Sequence, residues 1–281
     1  MSEVLERTLP ELGLLRYEEF DAGEWLTKKG EPAKIGKRRY SLNDEDYDAV
    51  SAIVGTLPKE ALIRWAEDHG ARGAIVAQEQ GALEDVPLDE VIKVVRSLKL
   101  GAEAVKDEAA ERGDAVHLAF HTLATMGTVP VFADYPPKWR GWIKGVASAW
   151  LKLDPKPIEA EFMVCHPELH YAGRPDLLCF VDGQLTLLDY KSSLKGVIYE
   201  QAHYQTRAYA DCFEFCGYPT PERILIVAVR ADGEVLLEDC VVSSERWKRL
   251  VSVFRDRKEV EKLRRVQAKM ASEALRASEK G

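Results

Sequence analysis

No run of this sequence approaches the roughly 20 consecutive apolar residues that span a bilayer, which sets aside a membrane-spanning chain. The first residues, MSEVLERTLPELG, are acidic and lack the basic-then-apolar order of a secretory leader, so a secreted precursor is not expected. Cysteine is sparse: Cys165, Cys179, Cys212, Cys216 and Cys240 make five, an odd number, and no CxxC occurs. Cys212 and Cys216 are four apart, the spacing of helical neighbours rather than of a zinc knuckle. Buried free thiols in a reducing cytoplasm are the expectation. Positive charge is not in excess either. With 39 Lys/Arg against 47 Asp/Glu the net charge is −8, which argues against a protein that coats nucleic acid by bulk charge. No internal repeat and no low-complexity tract stands out beyond a charged C-terminal tail.

What is present is globular. The 281 residues are 46% hydrophobic and 31% charged, enough for about two domains, or for one domain with a large insertion. Acid is unevenly spread. Residues 1–110 hold 15 Lys/Arg and 23 Asp/Glu, whereas residues 111–281 hold 24 of each. Three basic clusters survive: Lys28, Lys29, Lys34, Lys37, Arg38 and Arg39; Lys138, Arg140 and Lys144; and the run from Arg255 to Arg265. Such clusters are usually solvated faces, and the alternative is a track for a phosphate backbone.

Residues 1–40 read as loop or short strands. Ser41 or Asn43 is expected to cap a helix running to about residue 56, and Pro58 suits the first turn of the next helix, through Leu62, Ile63 and Trp65. After a loop over 78–87, Pro87 opens another helical stretch. Helical patterning then holds over about 102–126 and from Trp139 to Leu153. The character changes at residue 157. PIEAEFMVCH alternates like a strand, and LLCFVDGQLTLLDYKSS reads as two strands around Asp182-Gly183. Residues 199–216 return to helix. RILIVAVRADGEVLLEDCVV reads as a second hairpin around Asp232-Gly233, and a charged helix follows from Ser244. The expected organisation is α/β, with a helical N-terminal cap region over 1–110, a core over 111–243 and a C-terminal charged helix over 244–281.

The Asp182-Gly183 hairpin carries the chemistry. A two-residue loop there makes paired positions sum to 365, so Asp176 faces Asp189. Directly opposed residues have Cβ atoms about 4.5–5.5 Å apart and point to one face. Two such carboxylates repel, and a divalent cation removes the penalty. Lys191, two residues past Asp189, shares that face. Glu159 and Glu161 share a face of the preceding strand; either can approach the pair, and Glu161 is favoured. Gly173 is expected to permit close backbone approach of a ligand. Surface acids flanking an ordinary hairpin are the bland alternative, opposed by the apolar runs LLCF and LTLL around the two aspartates.

Glu161, Gly173-Arg174-Pro175-Asp176 and Asp189-Tyr190-Lys191, in this order, resemble the PD-(D/E)xK nuclease superfamily. The chain is most similar to the exonuclease branch that includes RecB-type nuclease domains, the mitochondrial genome maintenance exonuclease and phage exonucleases. RGDAVH, ending in His117, and Gln205-Thr206-Arg207-Ala208-Tyr209 match two further elements of that branch, before and after the hairpin. The resemblance is strong over about 107–216 and weaker upstream. It implies a restriction-endonuclease-like core with a mixed central sheet flanked by helices, and a metal-dependent DNA exonuclease acting in phage-type replication, recombination or repair. It also implies a DNA substrate with a free end, a replication or recombination protein as a partner, no membrane, and the cytoplasm of a bacterial or phage-infected cell.

The chemistry is consistent with that resemblance. Phosphodiester hydrolysis needs an activated water and neutralised charge, which one or two Mg²⁺ or Mn²⁺ ions supply. Asp176, Asp189 and Glu161 offer the oxygens that hard cations take. The resemblance adds the Tyr190 carbonyl and His117, whose imidazole favours Mn²⁺ without excluding Mg²⁺. Lys191 completes the catalytic set of Glu161, Asp176, Asp189 and Lys191, and is expected to act electrostatically because its acidic neighbours hold it protonated. His121, one helical turn past His117, is the weaker ligand candidate. Gln205 and Tyr209 share a helix face and, by resemblance, contact DNA or the site; Arg112 and Arg174 are further phosphate candidates, with pairing to a nearby acid as the alternative. Trp139, Trp142 and Trp150 read as core rather than as base-stacking platforms. Ser192-Ser193 either bonds phosphate or caps a turn. The cysteine spacing of iron–sulfur relatives is missing, so no cluster is expected. Two rivals stand beside the exonuclease: a structure-specific endonuclease on the same core, and a catalytically inactive DNA-binding protein.

Overall fold

The computed structural model describes residues 3–20, 37–58, 60–194 and 196–278. The chain opens on strands. β1 (Glu3–Leu9) and β2 (Gly13–Phe20) form an antiparallel pair, and β3 (Lys37–Leu42) and β4 (Glu45–Ala49) form a hairpin that continues the same sheet. The helix expected from Ser41 or Asn43 is therefore a strand pair. Asn43 and Asp44 sit at φ 50° and 67°, the left-handed conformation that these two residue types tolerate best and that a tight hairpin requires. Tyr40, Leu42 and Tyr47 are buried beside the turn, and burial of an apolar face overrides the capping signal of one asparagine. Helix begins only at α1 (Val50–Val54), followed by α2 (Glu60–Glu79), α3 (Val91–Ser97), α4 (Ala102–Met126) and α5 (Arg140–Leu153). The boundary expected at residue 110 falls inside α4. Lys28, Lys29 and Lys34 of the first basic cluster lie outside the described residues.

PIEAEFMVCH, expected as one strand, is two. β5 (Lys156–Ala160) pairs antiparallel with β8 (Leu177–Val181) through a bulge between Pro157 and Glu159. Glu161 then adopts φ 49°, and the chain leaves that sheet. β6 (Val164–His166) pairs instead with β7 (Tyr171–Gly173), and β7 runs parallel to β4. Alternation alone does not reveal this change of sheet, because Phe162, Met163 and Val164 are buried on both sides of it. β8 and β9 (Gln184–Ser192) form the expected hairpin. Asp182 and Gly183 have φ 50° and 80°, and every pair from Val181↔Gln184 to Leu177↔Leu188 keeps the expected register.

α6 (Glu200–Ala210) follows, shorter than the expected 199–216, and ends in a turn with a short 3-10 segment through Cys216. β10 (Arg223–Val229) runs parallel to β9, and β11 (Val235–Asp239) returns beside it. Their connection spans the five residues from Arg230 to Glu234, rather than a two-residue Asp-Gly turn. α7 (Ser244–Ser278) closes the chain.

Two sheets result, ordered β1-β2-β3-β4-β7-β6 and β11-β10-β9-β8-β5. The second is mixed and flanked by helices, the α/β architecture expected from the sequence. Strand periodicity divides its residues between two cores. Leu177, Cys179, Leu188 and Val227 face α4 and α5, where Phe120, Trp142 and Val146 are buried. Trp139 and Trp150 pack against this core, so all three tryptophans of that stretch are core residues, as read from the sequence. Leu178, Leu185, Leu187 and Ile224 face the other way, toward α1, α6, the first sheet and Trp247 of α7. All five cysteines are free thiols, four of them buried. Among the described residues, no helix is long and apolar enough to cross a membrane.

Candidate active site

The site lies where β8 and β9 leave the hairpin. Asp176 immediately precedes β8, one position beyond the Leu177↔Leu188 pair, and so stands opposite Asp189. The strand geometry is self-reinforcing: the Tyr190 N–H donates to Oδ2 of Asp176 at 2.7 Å, and the Glu161 N–H donates to the Asp176 carbonyl at 2.9 Å. The positive φ of Glu161 thus sits directly beside Asp176, where β5 ends. His117 reaches over from α4, its Nδ1 3.4 Å from Oδ1 of Asp176. Lys191 places Nζ 2.5 Å from Oδ2 of Asp189. Asp176, Asp189, Lys191 and His117 therefore come together.

Glu161 comes close by its backbone, but its carboxylate is turned to the Arg174 guanidinium. Of the two readings for Arg174, pairing with an acid is the one this arrangement shows. Glu159 is committed elsewhere: Arg7 binds it at 2.6 Å, and the Tyr218 hydroxyl donates to it as well. Glu159 pairs with Leu178 in the sheet, whereas the Glu161 backbone meets Asp176. Among the described residues no three His, Cys, Asp or Glu side chains converge to hold a metal ion in this conformation.

Burial sets the electrostatics. Asp189 is 1% exposed, and neither of its carboxylate oxygens accepts a well-aligned hydrogen bond, despite the Lys191 ion pair. Burial, with the Asp176 charge adding to it, pushes the Asp189 carboxyl up to about 6, while Lys191 and His117 pull the other way. Asp176 moves oppositely. Burial would raise it, but His117, Lys191 and the Tyr190 N–H together hold it below the ordinary carboxylate value. For His117 burial favours the neutral ring, and the neighbouring Asp176 outweighs it, so the imidazole holds its proton more tightly than usual. Lys191 likewise loses by burial and gains more from Asp189 and Asp176. Two carboxylates at adjacent strand positions are thus driven apart in acidity, a pattern that marks functional sites more often than structural ones.

The surrounding residues fix this geometry. The Tyr190 ring stacks on Phe120 of α4, centroids 3.7 Å apart and planes within 3°, so the side chain anchors one core while its backbone serves the site. Gln205 Nε2 donates to the Tyr209 hydroxyl at 2.8 Å, one helical turn along α6 as expected. Gly173 has a different reason from the one expected. A Cβ there would run into Cε1 of Tyr209, so the glycine admits the tyrosine ring rather than a ligand. Arg112 is buried with its guanidinium 4.7 Å over the Trp142 ring, and its Nε has no hydrogen-bond partner among the described residues. Ser193 bonds the Val197 N–H and carbonyl through its hydroxyl and caps a turn. No ion pair among the described residues joins His121 to either aspartate, and its Nδ1 has no hydrogen-bond partner.

The N-terminal strands, legible in the sequence only as loop or short strands, form a wall beside Arg174. Arg174 lies 6.0 Å from the ring of Tyr17, which packs on Tyr40 at 5.0 Å. The signal was present in the alternation of Leu15 with Tyr17 and of Tyr40 with Leu42 on buried faces. Two cavities, of about 840 and 1160 Å³, lie elsewhere, and neither is lined by Asp176, Asp189 or Lys191.

No protein-family model matches the chain, and no curated protein matches it. Solved structures with partial likeness include the crystal structure of SSO0001, with 14% identity, TM-score 0.32 and coverage of 73% of each chain. The alkaline exonuclease LHK-Exo from Laribacter hongkongensis shows 16% identity and TM-score 0.32, over 44% of this chain and 69% of that one. LHK-Exo in complex with dAMP shows 15% identity and TM-score 0.33, over 56% of this chain and 86% of that one.

Proposed function

We propose that this chain is a metal-dependent DNA exonuclease that hydrolyses phosphodiester bonds at a strand end. The observation that carries the reading is the registered pair of Asp176 and Asp189 at the mouth of one hairpin, with Lys191 and His117 against them. A divalent cation suits these donors in kind. Asp189 is buried with two oxygens lacking well-aligned hydrogen bonds, an arrangement costly to leave uncompensated. Asp176, Asp189, His117 and the Tyr190 carbonyl would hold Mg²⁺ or Mn²⁺, and Glu161 would join them by giving up Arg174. The bound ion would supply an acidified water and neutralise phosphate charge.

The chain's own residues do the rest. Lys191, held protonated by Asp189 and Asp176, carries a fixed positive charge beside the carboxylates, where the developing negative charge of a pentavalent phosphate needs it. Its raised proton affinity makes it a stabilising cation rather than the base. His117 must lose the proton that Asp176 helps it keep before it can serve as a ligand. Arg174, released from Glu161, would become available to a phosphate oxygen. Gln205 and Tyr209 hold each other and, through the Tyr209 ring against Gly173, set the strand that delivers Asp176.

The test is cleavage by the purified chain with Mn²⁺ or Mg²⁺, on end-labelled single- and double-stranded DNA beside a covalently closed circle, with EDTA as a control. Linear DNA is expected to shorten from one end while the circle survives. Nicking of the circle would replace the exonuclease with an endonuclease. Binding of DNA without any cleavage would leave a non-catalytic DNA-binding protein.

A second expectation concerns the ion itself. Asp189 has a folded value of about 6 against an ordinary 3.8. For a raised group the stabilising contribution is full below the ordinary value and is lost as pH rises through the folded one. Without metal, Asp189 therefore weighs against the fold as it ionises, and His117 titrates with the same sign. A cation that requires the ionised carboxylate removes this penalty. The thermal shift produced by Mn²⁺ should grow between about pH 5 and about pH 7.5 and disappear in Asp189→Asn. An equal shift at both pH values, or one retained in Asp189→Asn, would place the ion somewhere other than Asp189.

A further inference from the structure

Away from the aspartates, α7 and the N-terminal hairpin enclose a groove of about 1160 Å³. Arg255, Lys258, Lys262, Arg265 and Lys269 line it from α7. They are 3, 4, 3 and 4 residues apart, which places them along one helix face. The facing wall carries Arg39, His170 and the acids Asp46 and Asp48, and α7 itself adds Glu259 and Glu261. Six Lys/Arg thus meet four Asp/Glu, and three of those acids pair with three of these same cations, which leaves a surplus of two. Arg39 binds Asp46 at 2.5 Å, Lys258 binds Asp48 at 2.6 Å, and Arg265 pairs with Glu261 one turn away. Lys262 has no ion pair or hydrogen bond among the described residues, and Lys269 reaches Glu273 only at 3.9 Å.

α7 is held to the fold as far as Arg257, which bonds the Thr56 carbonyl, and Lys258. The following residues to Glu273 are exposed on every side, including Leu263 and Val266 of the groove lining at 57% and 50%. From residue 255 to 269 the helix rises about 21 Å at 1.5 Å per residue, roughly the length of six phosphates along one strand of a duplex. His170 of the groove lining precedes Asp176 by six residues across β7, so the chain keeps the two within about 22 Å.

We propose that this groove holds the phosphate backbone of the DNA strand whose end is presented to Asp176 and Asp189. The inference takes its ligand class from the nuclease reading and adds where the strand lies. Charge chooses the occupant. The lining keeps a surplus of two cations over its acids, with Lys262 unpaired among the described residues, at helical spacings that suit the repeating charge of a phosphate backbone, whereas the chain's own net charge of −8 is spread over acids interspersed with bases.

The test is anisotropy binding of a fluorescent duplex of about 24 base pairs to the full chain in EDTA, so that no turnover is involved. One variant combines Lys262→Gln, Arg265→Gln and Lys269→Gln, keeping helix-forming side chains on α7. A charge-matched control combines Lys93→Gln, Lys152→Gln and Lys156→Gln, exposed positions on α3, α5 and β5. The groove variant is expected to bind at least about tenfold more weakly, with the slope of log affinity against log salt reduced by about 0.9 for each phosphate no longer neutralised. The control is expected to bind as the unaltered chain does. Equal affinities for the two variants would overturn the proposal. So would an altered molar mass of the free groove variant with unchanged DNA affinity, which would make the groove an interface between copies. Because binding is read without metal, a chain that never cleaves DNA can still lose affinity here, and a chain that cleaves can fail here alone.

Discussion

Lys191→Ala is expected to lower the rate of phosphodiester cleavage by about 10²–10³-fold, the usual loss when one preorganised charge or donor is removed from a developing oxyanion. The fold should survive, because the side chain is 30% exposed and, among the described residues, pairs with Asp189 alone. A second readout separates a catalytic role from a structural one. Lys191 lowers the proton affinity of Asp189, which otherwise is raised by burial and by Asp176. Without the lysine, Asp189 ionises at higher pH. The residual activity of Lys191→Ala should therefore climb more steeply between about pH 6 and about pH 8 than that of the unaltered chain. Full activity in Lys191→Ala would remove the lysine from the mechanism. A uniform loss with an unchanged pH profile would deny its coupling to Asp189. Lys191→Arg should rescue little, since a planar fork does not replace a compact ammonium seated against one Asp189 oxygen.

Trp247→Ala carries the largest expected cost in stability. Trp247 is fully buried and meets the ring of Tyr171 edge-on, centroids 5.2 Å apart. Deleting a buried tryptophan side chain costs about 3–5 kcal/mol, the lost transfer energy plus the cavity left behind. The loss should appear as a lower urea midpoint with unchanged slope. Trp247→Phe should recover a good part of it. β7, which contains Tyr171, leads straight into Arg174 and Asp176, so α7 supports the site from below without touching the chemistry. Trp247→Phe, assayed well below its transition, is expected to cleave DNA at close to the normal rate. A small stability loss paired with loss of cleavage would assign Trp247 a direct role.

The β8–β9 hairpin was legible to the residue, because an Asp-Gly turn fixes register and register fixes which side chains share a face. α4 was legible from its period alone. The departure of the chain from its sheet at Glu161 was not. A glutamate at φ 49° carries no local signal, and the apolar residues that follow look the same whether the strand continues or changes sheet. The partnership of Glu161 with Arg174 was equally hidden, because the two meet only once β6 and β7 have folded back. Gly173 was singled out for the right property, close approach, with the wrong neighbour. The ring that fills the space comes from α6, some 36 residues downstream.

The hairpin register also determines how this site tolerates change over generations. Asp176 and Asp189 meet because 12 residues separate them with a two-residue loop at the centre. Parity, rather than any one apolar side chain, holds them on a common face. Exchanges among Leu, Val and Cys within β8 and β9 leave parity intact, whereas inserting or deleting one residue in either strand turns one aspartate to the opposite face. The lineage of this chain should therefore be permissive to substitution across the hairpin and closed to odd changes in its length.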